Sequence, residues 1–188
     1  MRRIPRLLFA APSSGSGKTV ITCGILEILQ RKKRSCVSFK CGPDYIDPLF
    51  HQYVLGIPGY NLDSFFLPRR EVRELFAEKA AGADIAVVEG AMGYYDGVAG
   101  TSTWASAYEI ARITDTPVVL VADGRTSSLS LAAMVKGFLE YKKDSRICGV
   151  ILNRISPVMA ERLRPCLPGH GHRRAYGKYP GNALCHGC

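Results

Sequence analysis

Apolar and polar positions along the chain follow two periods. Short, mainly apolar runs recur at 4–10, 84–89, 117–123 and 147–152, and residues 35–40 form a further run rich in strand formers. Runs of this kind predict strands covered on both faces, because a strand with one wet face would alternate. Between them the spacing turns helical. Val20, Ile21, Ile25, Ile28 and Leu29 share one face after residue 19, and Arg31, Lys32, Lys33 and Arg34 put positive charge where a helix C-terminus favours it. Residues 69–81 turn Val72, Leu75 and Phe76 inward and stop at Gly82, and 105–114 and 129–141 complete the predicted helices. Strand and helix alternate throughout. That order predicts an α/β fold with a doubly wound, mainly parallel sheet, right-handed crossovers and five strands by residue 152. Residues 41–48 carry Pro43 and Pro48 and read as a loop, neither helix nor inner strand, while 49–68, with Gly56, Pro58 and Gly59, has no clear period.

The chemistry gathers where the strands end. Between the first strand and first helix lies Pro12-Ser-Ser-Gly-Ser-Gly-Lys-Thr19. A strand, a glycine-rich turn and a helix N-terminus aim backbone N–H groups and the helix dipole at one point, where a polyphosphate such as that of ATP fits. Ser14, Gly15, Ser16 and Gly17 form the cradle, Lys18 would bring an ammonium to the β- and γ-phosphates, and the Thr19 hydroxyl would ligate Mg²⁺. The strict phosphate-loop pattern asks for glycine at 12, where this chain has proline; Gly17, Lys18 and Thr19 keep to it. After the second strand, Lys40 is followed by Asp44 and Asp47. The strand at 84–89 delivers Glu89 at its end, the place from which an acid holds the water shell of Mg²⁺ opposite a phosphate loop. Gly90, Gly93, Gly97 and Gly100 follow, letting the backbone pass close to a substrate.

Composition narrows the classes. A chain of 188 residues with 47% hydrophobic residues and mean hydropathy +0.02 has one domain's worth of core. No apolar run reaches the roughly 18 residues of a membrane span, and the basic start leads into an apolar stretch too short for a signal peptide, so a cytoplasmic protein without a membrane partner is expected. The net charge of +9 comes from clusters without interleaved aromatics, which suits solvated surface and attraction for an anionic substrate rather than a nucleic acid. The seven cysteines are odd in number; Cys23, Cys36, Cys41 and Cys148 fall in or beside predicted elements and read as reduced core residues. From 165 onward the composition changes. Cys166, His170, His172, Cys185, His186 and Cys188 offer zinc ligands, but with neither paired Cys-x-x-Cys nor the usual histidine spacing.

Five motifs in order resemble the N-terminal synthetase domain of the cobyrinate a,c-diamide synthase family. They are 10–19, Lys40-Cys-Gly-Pro-Asp-Tyr-Ile-Asp-Pro48 with His51, Asn61-Leu-Asp63, Val88-Glu-Gly-Ala-Met-Gly-Tyr-Tyr-Asp-Gly97 and Gly149-Val-Ile-Leu-Asn-Arg154. The resemblance implies the P-loop NTPase fold of dethiobiotin synthetase. It also implies MgATP-dependent conversion of the a and c acetate carboxylates of cobyrinic acid, a corrinoid, into amides through an acyl phosphate. By the same resemblance Thr19, Asp47 and Glu89 hold Mg²⁺ and Asn153 recognises adenine, while Lys40, with the loop amides and Lys18, suits the charge neutralisation that phosphoryl transfer needs. Asp44, Tyr45 and Asp96 face the substrate carboxylate and ammonia. Two departures accompany it. The chain stops before the family's glutamine amidotransferase domain would begin, so ammonia would be free or come from a separate glutaminase domain or chain. The apolar strand expected near 171–180 is lost, as a truncated or reading-shifted gene would lose it. Residues 1–164 are therefore expected to be the ATP-binding synthetase domain, incomplete at its C-terminal end, with 165–188 an atypical, poorly structured tail. The same motifs fit a nickel-sirohydrochlorin a,c-diamide synthase, and the altered phosphate loop leaves room for a nucleotide-binding but inactive fragment.

Overall fold

The computed structural model describes residues 4–167 and, after them, two strands at 176–179 and 183–186. The apolar runs form the inner strands β1 (Arg6–Ala10), β2 (Cys36–Cys41), β4 (Ile85–Glu89), β5 (Val118–Asp123) and β6 (Ile147–Asn153), with β3 (Gly59–Leu62) at one edge. The spatial order β3-β2-β4-β1-β5-β6 is parallel throughout. Beyond β6, β8 (Ala183–His186) pairs antiparallel with β6, and β7 (Tyr176–Tyr179) pairs antiparallel with β8. An edge that the sequence left open is thus hydrogen-bonded.

Neighbouring residues of one strand feed different cores, which is why the runs show no alternation. Phe9, Val87, Val121 and Ile151 pack under α1 (Lys18–Arg31) with Leu26. Leu8, Val88 and Leu120 pack on the other face with Val72 and Phe76 of α3 (Arg69–Lys79), Ile110 of α4 (Ala107–Ile113) and Leu131 of α5 (Leu129–Glu140). The doubly wound sheet expected from the periodicity is the one observed. A short α6 (Pro157–Leu163) follows β6.

Three features depart from the sequence reading. Residues 46–53, the first three assigned to a loop and the rest to a stretch without period, form α2 (Ile46–Tyr53). Pro48 does not prevent it, because it stands in the first turn, where a backbone N–H has no helical partner to lose. β3 arises in a stretch without period because a short edge strand needs little apolar signal. There Gly59 lies so close to α2 that a Cβ would stand 2.6 Å from the Pro48 carbonyl oxygen. Third, Cys23, Cys36 and Cys41 are free thiols as expected, but Cys148 is disulfide-bonded. Burial pushes the Cys41 thiol up to about 12 and the Cys23 thiol to about 11, which makes both inert. Of the zinc candidates, Cys166 is an exposed free thiol, and the side chains of His170, His172, Cys185, His186 and Cys188 lie outside the described residues. No helix among the described residues is long and apolar enough to cross a membrane.

Candidate functional site

β1 ends at Ala10 and α1 begins at Lys18, so the seven residues between them must turn sharply. Gly15 (φ 76°) and Gly17 (φ 92°) make that turn in the left-handed region, where a Cβ is penalised. The altered front of the loop has a different support. Ala11 is fully buried and its carbonyl accepts a hydrogen bond from Tyr94 N at 2.8 Å, while Gly93 lies so near Pro12 that a Cβ would sit 2.6 Å from its carbonyl oxygen. The loop after β4 thus holds in place a segment that the usual first glycine does not supply.

Lys18 is buried and folded over this loop, donating to the Ser13 carbonyl at 3.1 Å and the Met92 carbonyl at 2.8 Å. Met92 adopts φ 50°, a conformation rare for a side chain of its size, and presents that carbonyl from the loop after β4. Burial, helped by the nearby Lys40 charge, lowers the Lys18 pKa, while Glu89 and Asp96 pull it back. At the far side of the loop, Asn153 Nδ2 donates to the Ser16 carbonyl at 2.9 Å. Arg154 Nη1 donates to the Gly15 carbonyl at 2.6 Å and to Asp123 at 3.1 Å. Burial works against charge on Asp123, but hydrogen bonds from Arg125 and Arg154 outweigh it and hold the carboxyl below its usual range. Beside this clamp opens a hollow of about 290 Å³ lined by the loop, Asp123, Arg125 and Met134. A larger hollow of about 1190 Å³ opens at the opposite ends of the strands, around Pro5, Arg6, Ile85 and Thr114, and contains none of the expected site residues.

The second cluster stands beside the first. Lys40 Nζ bridges Asp47 and Glu89 Oε1, at 2.8 Å from the latter, and Thr19 Oγ1 donates to the same Oε1 at 2.6 Å. Glu89 is fully buried, and its Oε2 has no hydrogen-bond partner among the described residues. Burial pushes the Glu89 carboxyl up, against the pull of Lys40. For Lys40, burial opposes the charge, but Glu89 and Asp47 overcome it and raise the pKa. Thr19, Asp47 and Glu89, separated along the chain, are therefore brought together, Thr19 through its bond to Glu89 and Asp47 through the shared Lys40 ammonium.

The residues expected at the substrate are less tightly held. Asp44 lies 3.7 Å from Lys40 and accepts from Ile46 N and Asp47 N, fastening the first turn of α2. Tyr45 is 74% exposed. Asp96 accepts from Gly93 N at 3.0 Å, so it shapes its own loop while its charge is felt at Lys18. Sequence reasoning missed the roles of Met92 and Arg154 and gave Asp123 none; their place at strand ends beside Glu89 and Asn153 was the available signal. It also missed Glu109, which accepts from Ser64 Oγ at 2.9 Å and Ala105 N at 2.7 Å and so ties the loop after β3 to that after β4.

His51 of α2 lies under this cluster, 2.9 Å from Ser38 Oγ and 3.6 Å from Cys23 Sγ. Burial lowers its pKa, with Asp47 and Lys40 acting in opposite directions. The unfolded chain therefore binds this proton more readily than the folded one, and stability falls as pH drops through the unfolded value of about 6.5. The Tm loss between pH 7.5 and 5.5 is expected to be smaller in His51→Gln than in the wild-type chain, as thermal melts at both pH values would show. An equal loss would mean that His51 does not set the acid sensitivity.

A parallel sheet whose β1–α1 turn carries a buried lysine, with a buried acid at the end of a neighbouring strand, defines a P-loop nucleotide-binding domain. Residues 61–183 match the family model described as AAA domain, and the chain belongs to that family. It is 46% identical over 160 residues to the hydrogenobyrinate a,c-diamide synthase of Streptomyces coelicolor, covering 85% of this chain and 33% of that protein. It is 44% identical over 152 residues to the cobyrinate a,c-diamide synthase of Listeria innocua, covering 80% and 34% respectively. The chain spans about a third of the length of the curated relatives it matches. The family resemblance read from the motifs is thus borne out. Among solved structures, chloroplast FtsY from Physcomitrella patens superposes with TM-score 0.60 at 12% identity, over 86% of this chain and 53% of that one. The signal recognition particle receptor FtsY from Elizabethkingia anophelis gives 0.55 at 15%, over 76% and 49%. At such identity these two share the fold alone.

Proposed function

We propose that this chain is the ATP-using portion of an a,c-diamide synthase, amidating the a and c acetate carboxylates of cobyrinic or hydrogenobyrinic acid in cobalamin biosynthesis. The observation that carries the reading is the meeting of Lys18, Thr19, Lys40, Asp47 and Glu89 beside one phosphate loop, in a chain so similar to diamide synthases. The oxygen donors fit Mg²⁺. Glu89 Oε2 is buried without a hydrogen-bond partner among the described residues, and two carboxylates with a hydroxyl leave further positions for phosphate and water. When bound, Mg²⁺ neutralises charge on the β- and γ-phosphates.

The chain's own groups supply the rest. Backbone amides of Ser14 to Gly17 cradle the phosphates, and Lys18 exchanges its two carbonyl acceptors for phosphate oxygens. Asn153 lies at the adenine end. Lys40 stands near the transferred phosphoryl group, where alignment and charge neutralisation matter more than covalent help. A substrate carboxylate oxygen attacks the γ-phosphorus and the bond to the ADP oxygen breaks, leaving an acyl phosphate. The ammonia lone pair then attacks the acyl carbon, inorganic phosphate departs with the C–O electron pair, and the surplus proton passes to Asp44 or Asp96. Tyr45 lies beside Asp44 on the substrate side. Ammonia is taken free or from a separate glutaminase domain or chain.

The test is ADP release with MgATP, ammonium chloride and cobyrinic or hydrogenobyrinic acid. Release is expected to require the corrinoid and to be matched by amide formed, two per ring at completion. ADP release indifferent to the corrinoid would sink the reading.

A further inference from the structure

The sheet register places three polar residues in one row. Lys40 is opposite Glu89 on one neighbouring strand and opposite Asn61 on the other. In parallel strands, residues level with one another project to the same face, so Asn61, Lys40 and Glu89 line up side by side. Lys40 turns toward Asp47 and Glu89, and Asn61 Oδ1 is buried with no hydrogen-bond partner among the described residues. A buried amide oxygen is nearly always paired, so this one needs a reason.

We propose that Lys40 is the counter-ion of the cation site in the nucleotide-free chain, and that Asn61 is the positioning residue that receives its ammonium when a divalent cation enters. The proposal rests on the reading that Thr19, Asp47 and Glu89 hold that cation. The ammonium now touches two of those groups, Asp47 and Glu89 Oε1, and the Thr19 hydroxyl donates to the same Oε1. A cation bound there would face a like charge at contact distance, which drives the ammonium away. Lys40 is itself buried, so leaving both carboxylates without another acceptor is costly. On the sheet side the acceptor is Asn61 Oδ1, one strand over. β3 also lies directly against the first turn of α2, which carries Asp47, so the ammonium has a short way to go. Asp44 is half-buried and is the competing acceptor on the solvent side: its Oδ1 is taken by Ile46 N and Asp47 N, but its Oδ2, 3.7 Å from the ammonium, is not, so the Asn61→Leu variant decides between the two acceptors. Cation binding and the placement of Lys40 are in this way one event: the lysine is free to meet a phosphoryl group only after the cation has released it.

The experiment is Mn²⁺ titration of the nucleotide-free 188-residue chain, followed by water-proton relaxation, for wild type, Glu89→Gln, Lys40→Met, Asn61→Leu and the Lys40→Met/Asn61→Leu double variant. Glu89→Gln is expected to weaken Mn²⁺ binding by about tenfold or more, since it removes a carboxylate charge from the cation. Lys40→Met is expected to tighten it by about tenfold, because a competing charge is gone. Asn61→Leu is expected to weaken it by about three- to tenfold, the ammonium having lost its second acceptor, and to have no effect in the Lys40→Met background. Glu89→Gln binding like wild type would overturn the cation-site reading and the proposal with it. A loss in Glu89→Gln with no gain in Lys40→Met would overturn the proposal alone. An Asn61→Leu effect that is absent, or that persists without Lys40, would remove Asn61 from it. If circular dichroism shows Lys40→Met unfolded, the Asn61→Leu titration decides: wild-type affinity overturns the proposal and weakened affinity supports it.

Discussion

Lys18→Ala is expected to lower corrinoid-dependent ADP release by about a thousandfold while leaving the chain folded. The ammonium is buried, and its present acceptors are two backbone carbonyls, at Ser13 and Met92. Phosphate oxygens carry full charge and attract an ammonium more strongly than carbonyls do. Negative charge also shifts during phosphoryl transfer, so a fixed positive group stabilises the transition state beyond its contribution to binding. Losing one such preorganised group costs on the order of 10²–10³ in rate, about 3–4 kcal/mol. The lowered Lys18 pKa adds a pH signature, because the ammonium deprotonates earlier than an exposed lysine and activity declines on the alkaline side. Steady-state rates beside nucleotide-binding measurements separate the two contributions. A rate loss below about tenfold would mean that Lys18 serves the loop's shape rather than the reaction.

Gly93→Ala should damage stability and nucleotide affinity together. A Cβ at this position would meet the Asp96 carboxylate and stand 2.6 Å from the Pro12 carbonyl oxygen. The carboxylate can swing away, though it then gives up the hydrogen bond from Gly93 N that shapes the loop. The carbonyl belongs to the backbone at the front of the phosphate loop and cannot move without displacing the cradle. Overpacking of this kind costs about 1–3 kcal/mol, which for a domain of this size lowers the Tm by roughly 2–12 °C. Nucleotide affinity is expected to fall at least about tenfold, because the amides that hold the phosphates are displaced. Thermal melts and ADP binding on the same preparation check both parts. A chain that melts lower but binds ADP normally would show that the two loops are mechanically independent.

The phosphate loop and the strand-end acids were legible because the signals are local. An apolar run, a glycine turn and a helical period are each properties of a few consecutive residues, and their order requires a parallel sheet with ligand groups at its C-terminal edge. The same local reasoning misjudged residues 46–53, where a proline was weighed by its presence and not by its position in a first turn. It had no means of seeing β3, whose four residues become a strand only by lying against β2. Cys148 looked like its neighbours in the core until a disulfide, a pairing that spacing does not encode, set it apart.

By itself, then, the sequence determined the α/β class, the alternation of elements, the phosphate loop from Ser14 to Thr19 and the presence of Lys40, Asp47 and Glu89 at or just beyond strand ends. Only the tertiary structure decided what those groups touch. Lys18 meets a carbonyl 74 residues away, Lys40 an acid 49 residues away, and Asn153 supports a loop 137 residues before it. These pairings follow from strand order and register, which arise when two cores are packed on opposite faces of one sheet. Local periodicity carries the tendency to form each strand, and the burial of the whole sheet selects its neighbours. The row of Asn61, Lys40 and Glu89 exists for that reason alone.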